Sequence, residues 1–186
     1  MFLEEYAAAV ERETGVRIEV YGFDTGKGFP ELCGDYRDQP DLWDPGEFPM
    51  MDEAALRQRL SPRTKLVIGD VAQTVPEFVR KARHAPVGFI ACDLTLYSST
   101  RDALQVLSLP GKRITKTVVM HFNSISRFGL HRFAGELLAI SEFNSQNHHV
   151  KIDQWHGFSS TRVFPQAWWV HGMYVARDLE AISKVS

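Results

Sequence analysis

The sequence has no basic excess, few cysteines and no long apolar run, and each shortage removes a class of function. Twenty-one Lys and Arg stand against 23 Asp and Glu, a formal charge of −2. No global field draws such a chain to nucleic acid, and no basic run supplies a local one. Cys33 and Cys92 are too few for a disulfide framework, and Cys92 falls in an apolar segment; both read as reduced thiols of a cytoplasmic protein. No apolar segment is long enough to cross a bilayer, and the start, MFLEEYAAAVERE, is acidic where a signal peptide is basic. A glycine-rich phosphate loop is also missing. Gly26-Lys27-Gly28 runs into Phe29-Pro30, not into a helix.

What is present fits a single domain over residues 1–186, long enough for a sizeable core. The central stretch is VGFIACDLTLYSST, Val87 to Thr100. Its apolar run breaks into Asp93 and then meets Ser98, Ser99 and Thr100, hydroxyl residues suited to cap a helix. This pattern predicts a buried parallel strand that delivers a carboxylate to its C-terminal edge, where open α/β sheets bind ligands.

The remaining elements follow in alternation. Phe2, Leu3, Tyr6 and Val10 share one face of a helix over 2–14, stopped by Gly15. A strand is expected over 17–23, ending at Asp24. Residues 25–50 form a long loop in which Gly and Pro alternate with Phe29, Tyr36, Trp43 and Phe48. Such a loop is a functional lid, or its aromatics cover a sheet edge. Asp52 caps a short helix, and 65–68 is a strand ending at Gly69-Asp70. Thr74 to Glu77 reads as a capping box, followed by an apolar stripe of Val75, Phe78, Val79 and Ala82. After strand 87–92 come a helix over 99–107, a strand over 115–122, a helix over 133–144, an extended piece over 149–153 and a last strand over 168–175. This alternation predicts a doubly wound, mostly parallel sheet with helices on both faces.

Three acids, Asp24, Asp70 and Asp93, and the pair Asn123-Ser124 end predicted strands and so converge on one rim. A carboxylate there can accept two hydroxyl hydrogen bonds from a ribose, and its repetition points to a nucleotide-like ligand. A strand-end acid can also simply cap a helix and face water. The adjacent His148-His149 point apart on a strand, so no histidine metal cluster is expected. Ser98-Ser99 lacks the glycines of a nucleophile elbow. Trp155, Trp168 and Trp169 read as core or interface residues.

Four blocks, GFDTGKGFPE at 22–31, GDVAQTVPEF at 69–78, DLTLYSST at 93–100 and GELLAISEFN at 135–144, resemble a bacterial family of class I S-adenosylmethionine-dependent methyltransferase-like proteins related to the macrocin O-methyltransferase type. The resemblance implies a Rossmann-like methyltransferase fold and S-adenosylmethionine as the cofactor. It places Asp24 on the cofactor ribose, Asp70 near the adenine and Asp93 among the catalytic carboxylates. It also implies a strand and a glycine-rich loop ahead of the first helix. This chain starts at that helix, which reads as a late start or a truncated relative. Strands 17–23 and 87–92 are then expected to pair directly, or another chain covers the edge. Thr95, Asn123 and Ser124 stand where the family carries metal-binding acids, so magnesium is not expected.

The first functional expectation is a methyltransferase-like protein, ancestrally an O-methyltransferase of small molecules, with weak or absent turnover. The alternatives are a non-catalytic binding or scaffold protein that kept the fold, and a nucleotide- or sugar-nucleotide-binding enzyme. A small-molecule ligand is expected, with no nucleic acid and no membrane partner. A homo-oligomer would use the exposed edge and the Trp168-Trp169 pair.

Overall fold

The computed structural model describes residues 2–81, 83–125, 131–161 and 163–184. Ala82, part of the expected apolar stripe, lies outside them, as does the side chain of Phe2. Helix α1, Phe2–Thr14, ends at Gly15 with φ +71°, a left-handed position that glycine adopts without a Cβ clash. The helix is held by polar contacts. Glu4 accepts from the Ser61 N–H at 2.8 Å and the Thr64 hydroxyl at 2.6 Å, which holds its acid down at about 2. Glu11 pairs with Arg63 at 2.7 Å. The expected apolar face is largely unburied: Ala7 is covered, while Leu3, Tyr6 and Val10 are exposed.

Strand β1, Val20–Asp24, pairs parallel with β2, Thr64–Ile68, in a sheet of two. Helix α2, Glu53–Arg59, lies between them in sequence, with Asp52 accepting from the Ala55 N–H at 2.8 Å. Helix α3, Val71–Lys81, begins earlier than the capping-box reading predicts. Asp70 accepts from the Ala72 N–H at 2.9 Å, so Thr74 and Pro76 fall inside the helix. The Phe78 ring of α3 meets Tyr21 at 4.9 Å and Phe23 at 5.4 Å, which seats α3 on one face of β1.

A second sheet has the order β3-β4-β6-β5. It comprises β3 (Val87–Cys92), β4 (Ile114–Phe122), β5 (Val150–Gln154) and β6 (Met173–Asp178). Strands β3 and β4 are parallel; β6 is antiparallel to both β4 and β5. The last strand therefore starts later than expected, because Trp168–Gly172 winds into a 3-10 turn. Trp168 is exposed and joins no core. Helix α4, Tyr97–Leu104, extends into a 3-10 turn, and α5 is Gly135–Gln146. Together they cover one face of this sheet. Leu104, Leu107, Ala139, Ile140 and Phe143 pack on Val118, Met120, Phe122, Ile152 and Ala176. Each large side chain buried there contributes roughly 1.5–3 kcal/mol. A short α6, Leu179–Ser183, closes the described chain.

The doubly wound α/β class holds, but the expected direct pairing does not. β1 bonds β2 and β3 bonds β4, and the two sheets stay separate. Continuous pairing needs strands about 4.8 Å apart. Helix α3 packs on β1 of the first sheet and on α4, the helix that covers the second.

The long loop after β1 also spans the two sheets. Its two ends close on each other: the Phe29 N–H donates to the Glu47 carbonyl and the Gly46 N–H to the Phe29 carbonyl, both at 2.8 Å. Phe29, Trp43 and Phe48 pack edge-on above that closure. Asp38 then anchors the loop to α4. It is 1% exposed and accepts the Ser98 N–H and hydroxyl at 2.8 Å and the Cys33 N–H at 2.7 Å. Ser98 and Ser99 thus do not cap α4 themselves. The N-cap is Leu96, without a side-chain bond, and a remote aspartate supplies the acceptor.

Candidate functional site

The carboxylates of Asp24 and Asp70 lie at the C-terminal ends of neighbouring parallel strands. The Gly69 N–H donates to the Asp24 carbonyl at 2.9 Å, which ties the two strand ends together. Each acid uses one oxygen to hold its own turn: Asp24 accepts from the Gly26 N–H at 2.6 Å, and Asp70 from the Ala72 N–H at 2.9 Å. The second oxygen of each has no hydrogen-bond partner among the described residues. Asp24 is exposed, so a ribose diol can reach it without displacing protein.

Asp93 ends β3 on the other sheet. Because Cys92 pairs with Phe122, Asp93 and Asn123 leave the sheet side by side, and the Asn123 amide donates to Asp93 at 2.8 Å. Thr95 and Ser124 are both buried and share a hydrogen bond of 2.8 Å. Thr95 has φ +63°, a left-handed backbone that costs a β-branched residue roughly 1–3 kcal/mol. The sequence places three acids on one rim; the structure divides them, with Asp24 and Asp70 on one sheet and Asp93 on the other.

Glu136 is the residue sequence reasoning missed. It sits in the first turn of α5, 2% exposed, with neither oxygen in a hydrogen bond among the described residues. Burial, with the nearby charge of Asp93, pushes its acid up to about 8, against a smaller opposing pull from the backbone of Thr95, Ser124 and Leu94. Burial and the same two acids also push the Cys92 thiol well up. The sequence did carry a signal, an acid opening a helix just after a strand-end rim. That position reads equally as an ordinary partner for the helix dipole.

These observations test the groups that the resemblance implies. For the adenosine end of S-adenosylmethionine, Asp24 and Asp70 fit: both offer an acceptor on the rim. Magnesium does not fit. A hard divalent cation takes several oxygens with negative charge among them. Here an amide N–H already occupies one side of Asp93, and the hydroxyls of Thr95 and Ser124 satisfy each other.

No family model matches the chain, and no curated protein matches it. Solved structures do. The crystal structure of CalS11, calicheamicin methyltransferase, shares 22% identity at a TM-score of 0.55, over 94% of this chain and 66% of that one. The apo structure of CalS11, described as a TDP-rhamnose 3'-O-methyltransferase, gives 19% and 0.52 over the same shares, 94% and 66%. The O-methyltransferase NovP gives 18% and 0.54, over 74% of this chain and 56% of that one. The chain thus spans just under two thirds of the length of CalS11. At these identities the likeness shows the fold, and that fold is the Rossmann-like α/β fold of methyltransferases.

Proposed function

We propose that this chain is a methyltransferase-fold binding protein that takes a small adenosine-containing ligand and does not carry out metal-assisted methyl transfer. The observation that carries the reading is the hydrogen bond from the Asn123 amide to Asp93, beside the closed Thr95–Ser124 pair. In a metal-assisted transfer, cation and acceptor hydroxyl need that carboxylate side. In this chain it faces a neutral donor.

S-adenosylmethionine, when bound, would supply an activated methyl group. This chain's residues bear only on its adenosine end. Asp24 would accept the ribose hydroxyls through the oxygen its turn leaves unused, and Asp70 would lie near the base. Asp93, the candidate catalytic residue, is an acceptor positioned by the Asn123 amide. The ancestral acceptor is proposed as a small molecule, since both named neighbours are small-molecule methyltransferases or O-methyltransferases.

Titration with S-adenosylhomocysteine, with and without magnesium, tests this reading. Saturable binding with the same affinity in both buffers supports it, and Asp24→Ala should weaken that binding about tenfold, the loss of roughly 1.4 kcal/mol expected for hydrogen bonds to a charged acceptor. Magnesium-dependent methyl transfer to any hydroxyl acceptor would overturn it. A thermal shift with nucleotides but none with S-adenosylhomocysteine would favour a nucleotide- or sugar-nucleotide-binding enzyme instead.

A further inference from the structure

Acids are unevenly spread along the chain. Of the 23 Asp and Glu, none falls between Asp102 and Glu136 and none between Asp153 and Asp178. Strands β4 and β6 belong to these two stretches and pair antiparallel, so the acid-free runs meet at one end of the second sheet. His121 pairs with Met173 there. Gly172 sits so close to β4 that an added Cβ would stand 2.4 Å from the Phe122 carbonyl oxygen. The excursion between β5 and β6, residues 155–172, is thus held against the C-terminal end of β4.

Only part of its apolar content anchors this excursion. Phe158, Val170 and Met173 form a small buried cluster, with Val119 packed against it. Trp155 and Trp169 flank Phe158, their ring centroids 4.8 and 6.1 Å away, and stay exposed. Val163, Phe164 and Trp168 reach solvent at 87%, 71% and 59%. A single exposed apolar residue needs no explanation, but five on one excursion make a patch of the kind that marks a contact surface. Arg132 and Phe133 are exposed as well. Burial pushes the Tyr174 phenol up and the Arg132 charge opposes that push, which sets Arg132 near the start of β6. The acids that border this region leave no free surface charge against it. Asp153 faces His156 at 3.5 Å, and Glu136 is buried.

We propose that this end of the second sheet is a peripheral membrane-contact surface that seats on anionic phospholipid, with Phe164 and Trp168 in the interface and Arg132 among the headgroups. Tryptophan suits that depth, because its ring is apolar and its N–H is a donor. Aromatic burial and a basic side chain near a negative surface are the two contributions that hold a protein on a bilayer without crossing it. The contact needs no spanning helix, and none of the described helices is long and apolar enough to cross a membrane. The formal charge of −2 does not oppose it, since charges beyond about 8 Å are screened at physiological salt. A second copy fits the patch less well. A twofold interface sets the surface against itself, and neither acid-free stretch holds a carboxylate to receive Arg132. This proposal does not rest on the ligand reading above.

The test is co-sedimentation of the full chain with vesicles of phosphatidylcholine mixed with phosphatidylserine, and with vesicles of phosphatidylcholine alone. Expected are stronger binding to the mixed vesicles and a blue shift of Trp emission on binding. The double variant Phe164→Ser, Trp168→Ser should bind the mixed vesicles about tenfold more weakly. Arg132→Gln should weaken that binding about fivefold and leave binding to phosphatidylcholine unchanged. Both changes are at exposed side chains, and an unaltered circular dichroism spectrum shows that the fold is kept. Brominated lipid, which should quench the wild-type Trp emission, reads the same insertion without any variant. No sedimentation and no quenching overturns the proposal, in favour of a protein partner. Equal binding to the two vesicle types, or full binding by the double variant, overturns it too. So does a dimer that forms without lipid and is lost in the double variant, in favour of a second copy. S-adenosylhomocysteine binding is not read in this experiment, so its failure and that of the functional proposal are separable.

Discussion

Replacing Asp38 by Ala should loosen the clasp between the two sheets. The side chain is 1% exposed and accepts three hydrogen bonds, from the Ser98 N–H, the Ser98 hydroxyl and the Cys33 N–H. Alanine leaves all three donors without their acceptor. The Ser98 hydroxyl can turn elsewhere, but two backbone N–H groups remain, each costing about 1–3 kcal/mol when left buried and unpaired. The lost acceptor at the start of α4 falls within the same sum, since caps alone contribute about 1 kcal/mol. The expected loss is therefore about 3–5 kcal/mol, a large part of the roughly 5–15 kcal/mol that holds a domain folded. Ser98→Ala removes one donor and should cost only about 1 kcal/mol. Urea unfolding followed by both Trp fluorescence and circular dichroism measures these values. Because the loop joins two separate sheets, the two probes should cease to coincide in Asp38→Ala. A loss below about 1 kcal/mol with coincident transitions would refute the clasp, since that is the ordinary effect of a typical substitution.

Three further outcomes follow from other contacts. Glu136 holds a proton in the fold that the unfolded chain has lost above its ordinary value, so stability should fall as pH rises from 4.5 to about 8, by on the order of 4–5 kcal/mol at most; Glu136→Gln should flatten that slope in denaturant titrations at several pH values, and an unchanged slope would count against a protonated Glu136. Gly28 has φ +85°, and a Cβ there would lie 2.2 Å from the Glu47 carbonyl oxygen; Gly28→Ala should therefore open the loop closure at a cost above about 2 kcal/mol, seen as a change in Trp43 emission, while wild-type-like emission and stability would contradict the closure. Asn123→Asp turns a donor toward Asp93 into a second acid, and should create magnesium affinity detectable by calorimetry where the wild-type chain shows none; no gain would mean that the Thr95–Ser124 pair alone closes the site.

Much of the fold was legible because it rests on local signals. The apolar run at Val87–Cys92 and its break at Asp93 located the strand and its exposed end. Asp52 marked its helix, and Gly15 stopped another. The failures arise where distant groups decide. Ser98 reads as a cap by its chemistry, but Asp38, 60 positions away in sequence, accepts its N–H instead. Thr74-Val-Pro-Glu77 reads as a helix start, but Asp70 opens the helix a turn earlier. The apolar face of α1 looked like core, yet Glu4 and Glu11 hold the helix by polar contacts and leave Tyr6 68% exposed.

The site was legible in part for the same reason. Strand ends are local, so Asp24, Asp70, Asp93 and Asn123 were located correctly on their rims. Sheet continuity is not local. No pattern within β1 or β3 told that the sheet would divide and place Asp93 apart from the other two acids. The burial of Glu136 depends on how α5 meets β3 and β4, which no spacing along the chain records.

Calorimetric titration of the 186-residue chain with S-adenosylhomocysteine, in magnesium and in chelator, tests the adenosine site at Asp24 without a metal. Saturable binding with equal affinity in the two buffers is expected, lost or weakened about tenfold in Asp24→Ala. Binding that requires magnesium, or that ignores Asp24, would contradict it.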